Sequence, residues 1–325
     1  MLDVFFYEAF EEEEQALKRH LPPHIKAGFT WKTIQEESSH KLPAQLISIR
    51  TQSIIPISYA TKISGLLARS TGYDHIHEYL HKFRKKMPCG YLPSYCSRAV
   101  AEQTMLLWMS LLRKLPQQIR QFTDFNRDGL TGQECQPKTL LVVGIGNIGY
   151  EVVQIGKGLG MNVLSVDIAE KYPDVSYVSI EEGLPQADIV VCAMNLTLEN
   201  GGYFNYKLLK RGKPGLIFVN IARGELSPMN DLLHLIDEKF LGGVALDVYD
   251  KENELATLLR RGSTHNRRME TLVTLELTKR PNVILTPHNA FNTQEAVERK
   301  SAHSIQQISH FLEKGHFLWP VPDLN

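Results

Sequence analysis

Three short segments carry side chains that together suit the chemistry of a carbonyl next to a carboxylate. Arg223 lies in Asn220-Ile221-Ala222-Arg223-Gly224-Glu225, Glu252 closes the stretch Gly243 to Glu252, and His288 lies in Thr286-Pro287-His288-Asn289-Ala290-Phe291. A guanidinium grips a carboxylate through two parallel hydrogen bonds. An imidazole gives or takes a proton near neutral pH. A carboxylate beside it favours the imidazolium and fixes its orientation. Each residue alone has an ordinary reading, the Arg as a surface ion pair and the His as a hydrogen-bonded structural group. Their combination matches what reduction of a 2-oxo acid requires.

A fourth segment points to the partner in such a reaction. Gly144-Ile145-Gly146-Asn147-Ile148-Gly149 follows the apolar run Leu140–Val143 and opens a segment in which Ile148, Val152, Ile155 and Leu159 share a helical face. A G-x-G-x-x-G between a strand and a helix is a dinucleotide-binding turn. The first glycine allows the tight turn, the second admits a pyrophosphate to the backbone, and the third lets helix pack on strand. Asp167 ends the next strand, 18 residues beyond Gly149. An acid there accepts hydrogen bonds from a ribose 2′-hydroxyl and repels a 2′-phosphate, so NAD is the expected cofactor.

The elements that must position these groups are legible as a rhythm. Apolar, β-branched runs recur at Leu140–Val143, Val163–Asp167, Asp188–Met194, Leu216–Ile221, Val244–Val248 and Val283–Thr286. Strands alternating with helices imply an α/β fold with a doubly wound parallel sheet. Ligands bind outside the carboxyl ends of such strands, where all the segments above lie. Helical spacing predicts flanking helices at 97–122, through Ala101, Met105, Trp108 and Leu112, and at 293–313, through Ala296, Ile305, Ile308 and Leu312. The segment 253–280 reads as long and irregular.

Bulk properties narrow the class. The 325 residues suffice for two domains. Lys plus Arg and Asp plus Glu each number 36, so no basic excess points to nucleic acid or an anionic membrane. The basic clusters at 81–86 and 260–268, and the acidic run Glu11–Glu14, read as solvated. Four cysteines without a C-x-x-C pair read as free thiols. The longest apolar run, near Thr104–Leu112, is far short of a membrane span. With no basic-then-apolar leader at the start, a cytoplasmic protein is expected.

On these motifs the sequence resembles the D-isomer-specific 2-hydroxyacid dehydrogenase family. Arg69-Ser70-Thr71-Gly72-Tyr73-Asp74 is similar to the family's first-domain loop, and Ala99-Val100-Ala101-Glu102 to its interdomain helix start. Pro93-Ser94-Tyr95-Cys96-Ser97 and Pro287 to Phe291 resemble the D-lactate dehydrogenase branch. The resemblance implies two Rossmann-like domains: a smaller flavodoxin-like catalytic domain at 1–97 and 294–325, and an NAD-binding domain at 98–293. It implies that Arg223 binds substrate, Glu252 supports the imidazole and His288 is the acid/base. Thr71, Gly72, Tyr95 and Phe291 would contact a small 2-oxo or 2-hydroxy acid. Gly144, Gly146, Asn147, Ile148, Gly149, Asp167, Ala222 and Asp247 would bind cofactor, with Asp247 by the nicotinamide carboxamide. No metal is implied, and a homodimer is. Arg50 lies in a loop that in relatives approaches the substrate side chain, and Arg50 or Arg98 in the pocket would favour an anionic side chain. Asn195, Ser97 and Asn292 depart from residues common in the family.

Two rival readings compete. His77-Glu78-Tyr79-Leu80-His81 matches the zinc-hydrolase pattern H-E-x-x-H. That chemistry needs a third ligand, and the extended motif needs Gly where the chain has Arg84. The second rival is a non-catalytic, NAD-sensing co-repressor-like binding protein, since a fold alone does not establish catalysis.

Overall fold

Apolar β-branched runs become parallel strands because both faces of such a sheet are covered, so no polar alternation is needed. The structure, a computed structural model, describes residues 2–37, 42–83, 87–261 and 269–322. The chain divides into two units, Met1–Cys96 with Asn292–Asn325, and Ser97–Phe291.

The first unit contains β1 (Leu2–Phe6), β2 (Ala27–Phe29), β3 (Ala44–Ile49), β4 (Gly65–Ala68) and β5 (Cys89–Gly90). They form one parallel sheet in the order β2-β1-β3-β4-β5, the flavodoxin-like arrangement. Alternate residues serve opposite faces. Val4, Phe6 and Leu46 pack with Leu17, Ile305, Ile308 and Phe311 on one side. Ile47, Ile49 and Leu66 pack with Ile76 and Tyr79 on the other. The helices Glu11–His20 and Gln294–Lys314 lie side by side against the first face.

The second unit contains β6 (Thr139–Val143), β7 (Asn162–Val166), β8 (Ile189–Cys192), β9 (Leu216–Asn220), β10 (Leu241–Leu246) and β11 (Val283–Leu285). These six strands, expected from the apolar rhythm, run parallel in the order β11-β10-β9-β8-β6-β7. A single parallel bridge between Ser165 and Tyr177 extends the sheet beyond β7. The chain order reverses at β6, with β7 on one side and β8 on the other. That is the switch point where a crevice opens at the carboxyl ends. Leu141, Val190, Phe218 and Val244 are fully buried within one continuous core.

Several expectations require correction. The helix expected over 97–122 stops at Leu112, and Lys114 turns left-handed (φ 53°) before a second helix, Leu115–Gln121. The segment expected to be irregular contains two helices, Glu252–Arg261 and Met269–Leu277, with 262–268 outside the described residues. Leu312 is exposed, and Phe311 takes the buried position. The acidic run is not wholly solvated, because Glu13 is fully buried. Of the basic clusters, His81, Lys82 and Arg260 are exposed, and 84–86 and 262–268 lie outside the described residues. Among the described residues no helix is long and apolar enough to cross a membrane.

Phe218 is fully buried at the centre of β9, the strand that delivers Arg223. Phe218→Ala should destabilise the protein by about 3–5 kcal/mol, read from the urea midpoint at constant slope. A loss below about 1 kcal/mol would contradict this packing.

Candidate active site

The glycine turn is built by close approach. Gly144 follows β6 with φ at 95°, and a Cβ there would lie 2.5 Å from the Met194 backbone beyond β8. A Cβ on Gly149 would lie 1.9 Å from the Gly144 carbonyl oxygen. Around Gly146 the situation reverses, with nothing within 4 Å of an added Cβ. Gly146 is also the N-cap of the helix Asn147–Gly158 and provides no side-chain cap. Open space at the positive end of a helix is suited to a pyrophosphate, so these residues fit a dinucleotide. Asn147 is exposed and Ile148 half-buried beside this opening. Asp167, just past β7, accepts hydrogen bonds from the Ile145 amide and, at 3.0 Å, from the Ala169 amide. The acid is thereby tied to the turn. Lys171 is exposed and lies 5.0 Å from the centre of the Tyr172 ring.

The Arg223 loop is folded around Asn220, which is fully buried at the end of β9. Its Nδ2 donates to the Arg223 carbonyl and to Ser227 Oγ, both at 2.8 Å, and its Oδ1 accepts from the Ala222 amide at 3.0 Å. A Cβ on Gly224 would lie 1.9 Å from the carbonyl carbon of Tyr249, so only glycine lets the two backbones touch. This contact brings the Arg223 loop against the segment leading to Glu252. Arg223 is half-buried, and its Nη1 donates to the Ala222 carbonyl at 2.8 Å.

His288 sits in a loop with no sheet ladder of its own. Its backbone is left-handed, with φ at 50°. Asp247, 1% exposed, accepts hydrogen bonds from Thr286 Oγ1 and from the amides of Asn289 and Ala290, both at 2.9 Å. Burial pushes the Asp247 carboxyl above the usual carboxylate range, and these donors act against that rise. Tyr249 adds a hydroxyl hydrogen bond to the Thr286 carbonyl at 2.7 Å. So anchored, His288 Nδ1 lies 2.8 Å from both carboxylate oxygens of Glu252. Glu252 begins the helix Glu252–Arg261, where a negative charge is favoured. With Nδ1 on the carboxylate, Nε2 is left on the far side of the ring for a proton transfer. The second unit thus combines the turn, the tied acid, the Arg223 loop and the paired imidazole.

In the first unit, Thr71 and Gly72 are half-buried just past β4, and Ser70 Oγ donates to the Gly72 carbonyl at 2.7 Å. Tyr95 is buried, and its carbonyl accepts from Arg299 Nε at 2.9 Å. Phe291, also buried, ends the second unit. Arg50 follows β3, with its guanidinium 5.6 Å from the Phe10 ring centre. Arg98 is on the surface, paired with Glu102 at 2.6 Å and Glu151 at 3.4 Å. His77 and His81 lie on the helix Asp74–Phe83, but His77 Nε2 is 2.8 Å from the Pro322 carbonyl.

Sequence reasoning missed the anchoring role of Asp247, the staple at Asn220, and a buried ionic group of Glu13, Arg69 and Lys300. A signal for the last was available. Glu13 falls three residues before Ala16 and four before Leu17, and Lys300 falls three after Val297 and four after Ala296. Charges at apolar helical spacing point inward.

Residues 105–290 match the family model described as D-isomer specific 2-hydroxyacid dehydrogenase, NAD binding domain. The chain is 29% identical over 317 residues to a D-lactate dehydrogenase of Streptococcus agalactiae, covering 95% of this chain and 94% of that one. It is 31% identical over 264 residues to a D-2-hydroxyacid dehydrogenase (NAD+) of Lacticaseibacillus paracasei, covering 79% and 78%. Among solved structures, it matches the Aquifex aeolicus D-lactate dehydrogenase complexed with NAD and lactic acid. That match has a TM-score of 0.84 and 25% identity, over 99% of this chain and 100% of that one.

The tied Asp167 carboxylate should discriminate between cofactors by repelling a 2′-phosphate. We expect kcat/KM with NADH to exceed that with NADPH by about tenfold or more, equivalent to about 1.4 kcal/mol. Asp167→Ser should narrow the gap. Equal efficiency of the two cofactors in the parent protein would contradict this role.

Proposed function

Because this chain belongs to the D-isomer-specific 2-hydroxyacid dehydrogenase family, we propose that it interconverts D-lactate and pyruvate, through Arg223, Glu252 and His288. At the level of class it is an NAD-dependent oxidoreductase of D-2-hydroxy acids and their 2-oxo acids. The narrower substrate pair is supported by similarity to the D-lactate dehydrogenases of Streptococcus agalactiae and Aquifex aeolicus. The observation that carries the residue roles is the pairing of His288 Nδ1 with Glu252 at 2.8 Å.

The cofactor, when bound, supplies or accepts the hydride. The chain supplies binding, orientation and proton transfer. Arg223 binds the substrate carboxylate and stabilises charge developing on the carbonyl oxygen. His288, protonated at Nε2, donates to that oxygen during reduction and accepts the hydroxyl proton in the reverse direction. Glu252 holds Nδ1–H, which fixes the tautomer and favours the imidazolium that reduction consumes. Thr71, Gly72, Tyr95 and Phe291 are the further substrate contacts in this reading. Gly144, Gly146, Asn147, Ile148, Gly149, Asp167 and Ala222 are the cofactor contacts. Asp247 lies by the nicotinamide carboxamide in this reading, and it also holds the His288 loop.

Two finer assignments complete the reading. A homodimer is supported by an exposed apolar row, Leu115, Ile119, Phe122 and Phe125, the last two more than 70% exposed. A cytoplasmic setting is supported by four free, buried cysteines.

The test is NADH oxidation against pyruvate, phenylpyruvate, glyoxylate, hydroxypyruvate and branched-chain 2-oxo acids, with chiral chromatography of the product. Pyruvate should be among the best substrates and should yield D-lactate, whereas L-lactate would overturn the reading. His288→Ala should lose about 10²–10⁴-fold in kcat while still binding NADH. Near-parental turnover in that variant would remove His288 from the acid/base role.

A further inference from the structure

A buried ionic group lies at the carboxyl ends of the first unit's strands. Arg69, fully buried, follows β4 directly and leads into Ser70-Thr71-Gly72. Its Nε donates to Glu13 Oε1 at 2.9 Å, its Nη1 to Ser48 Oγ at 3.0 Å and its Nη2 to the Tyr7 carbonyl at 2.6 Å. Lys300, also fully buried, places Nζ 2.9 Å from the same Glu13 oxygen. That ammonium position is 4.9 Å from the Phe10 ring centre and 6.0 Å from that of Tyr95. Arg299, the preceding residue, holds the Tyr95 carbonyl at 2.9 Å. One helix therefore holds Tyr95 by its backbone and lies against its ring.

The charges in this group do not balance. Lys300 is faced by Glu13 from the helix Glu11–His20, Arg69 beyond β4, Arg50 beyond β3, and Tyr95 and Cys96 beyond β5. Glu8, beyond β1, accepts the Arg50 amide at 3.0 Å and the Gln52 amide at 3.2 Å. Arg50, Arg69 and Lys300 carry three positive charges when protonated, and Glu8 and Glu13 at most two negative ones, a surplus of one. An arginine keeps its proton in proteins, so the lysine is the cation that yields. Burial pushes the Lys300 amine down to about 7, and Glu13 offsets this only in part. Burial alone would raise Glu13, but Arg69 and Lys300 hold it at about 2.

We propose that Lys300 is a positioning residue for Tyr95 and the 70–72 loop, and that its charge state tunes affinity for the substrate carboxylate. The proposal rests on the reading that Tyr95, Thr71 and Gly72 contact a 2-oxo acid. A protonated Lys300 leaves the group one positive charge in surplus, and an arriving carboxylate compensates it. By linkage, substrate binding then favours proton uptake, and substrate affinity falls as pH rises through neutrality. The substrate class this favours is anionic 2-oxo acids over neutral carbonyl compounds.

The test uses the full-length protein with Lys300→Met, which keeps length and apolar fit, and Glu13→Gln. Steady-state NADH oxidation with pyruvate is followed from pH 6 to 8.5. In the parent, KM for pyruvate should rise with pH, approaching about tenfold per unit above the midpoint. In Lys300→Met, KM should be raised at pH 6 and should rise less steeply with pH than in the parent, keeping only the dependence that the His288 acid/base step imposes, while kcat and KM for NADH stay within about threefold, the range of context effects for a group outside the reaction. In Glu13→Gln the rise should begin at lower pH, because Lys300 loses its acidic partner. Melting curves and NADH fluorescence report folding, and Lys300→Gln replaces the methionine variant if that one does not fold. A KM profile in the Lys300 variant that superimposes on the parent, or a loss confined to kcat, overturns the proposal. Calorimetry of oxamate binding to the NADH complex, in two buffers of different ionisation enthalpy, reads the same event without turnover. About half a proton more should be taken up near pH 7.5 in the parent than in Lys300→Met, which keeps only the uptake linked to His288; equal uptake in the two overturns the proposal. If no 2-oxo acid is turned over, the proposed function fails, and proton uptake in this titration then decides the Lys300 proposal by itself.

Discussion

The second unit's chemistry depends on one buried carboxylate. Asp247 stands where β10 ends and accepts from Thr286, Asn289 and Ala290, so the loop after β11 is fastened to the loop after β10. Without that acceptor, two amides beside a left-handed histidine would be left short of partners in a closed environment. Buried amides in that state are strongly disfavoured. The positive φ of His288 is sustained by this anchorage, and local strain persists only where surrounding bonds over-determine it. Glu252 orients the ring, but Asp247 determines where the ring stands.

The two units balance buried charge in different ways. Asp247 is surrounded by neutral donors, so its charge is spread over hydrogen bonds from a hydroxyl and two amides. Glu13 is surrounded by cations, and one of its oxygens meets both Arg69 and Lys300 at 2.9 Å. The first arrangement fixes geometry, its donors acting against the rise that burial causes. The second places an amine where burial outweighs the attraction of Glu13, and such groups respond to pH and to ligand charge.

Much of this was legible in the sequence, for physical reasons. Strands of a doubly covered parallel sheet are apolar along their whole length, so Leu140–Val143 and Leu216–Ile221 announced β6 and β9 within a residue or two. Gly144 and Gly149 were readable because a Cβ at either would collide with backbone. The pairing of Glu252 with His288, 36 residues apart, came from motif resemblance and not from local pattern. What stayed hidden depended on tertiary contact. The break at Lys114 needs a left-handed residue that no glycine marks. Of the helices in 253–280, Glu252–Arg261 did carry a spacing signal in Leu255, Leu258 and Leu259 that was passed over, whereas Met269–Leu277 intersperses glutamates and threonines among its apolar residues without a clear helical stripe. Glu13 looked solvated among three other glutamates, because its neutralising partners lie 56 and 287 residues away.

The most direct measurement is to replace Asp247 by Asn and determine kcat and NADH affinity on the same preparation. An amide keeps the shape but turns one acceptor into a donor, facing an amide of Asn289 or Ala290 or the Thr286 hydroxyl. We predict a fall in kcat at saturating NADH of about tenfold to a hundredfold, from losing charge-assisted hydrogen bonds worth about 1.5–3 kcal/mol. Unchanged kcat at saturating NADH would contradict the account, leaving His288 to be held by Glu252 alone.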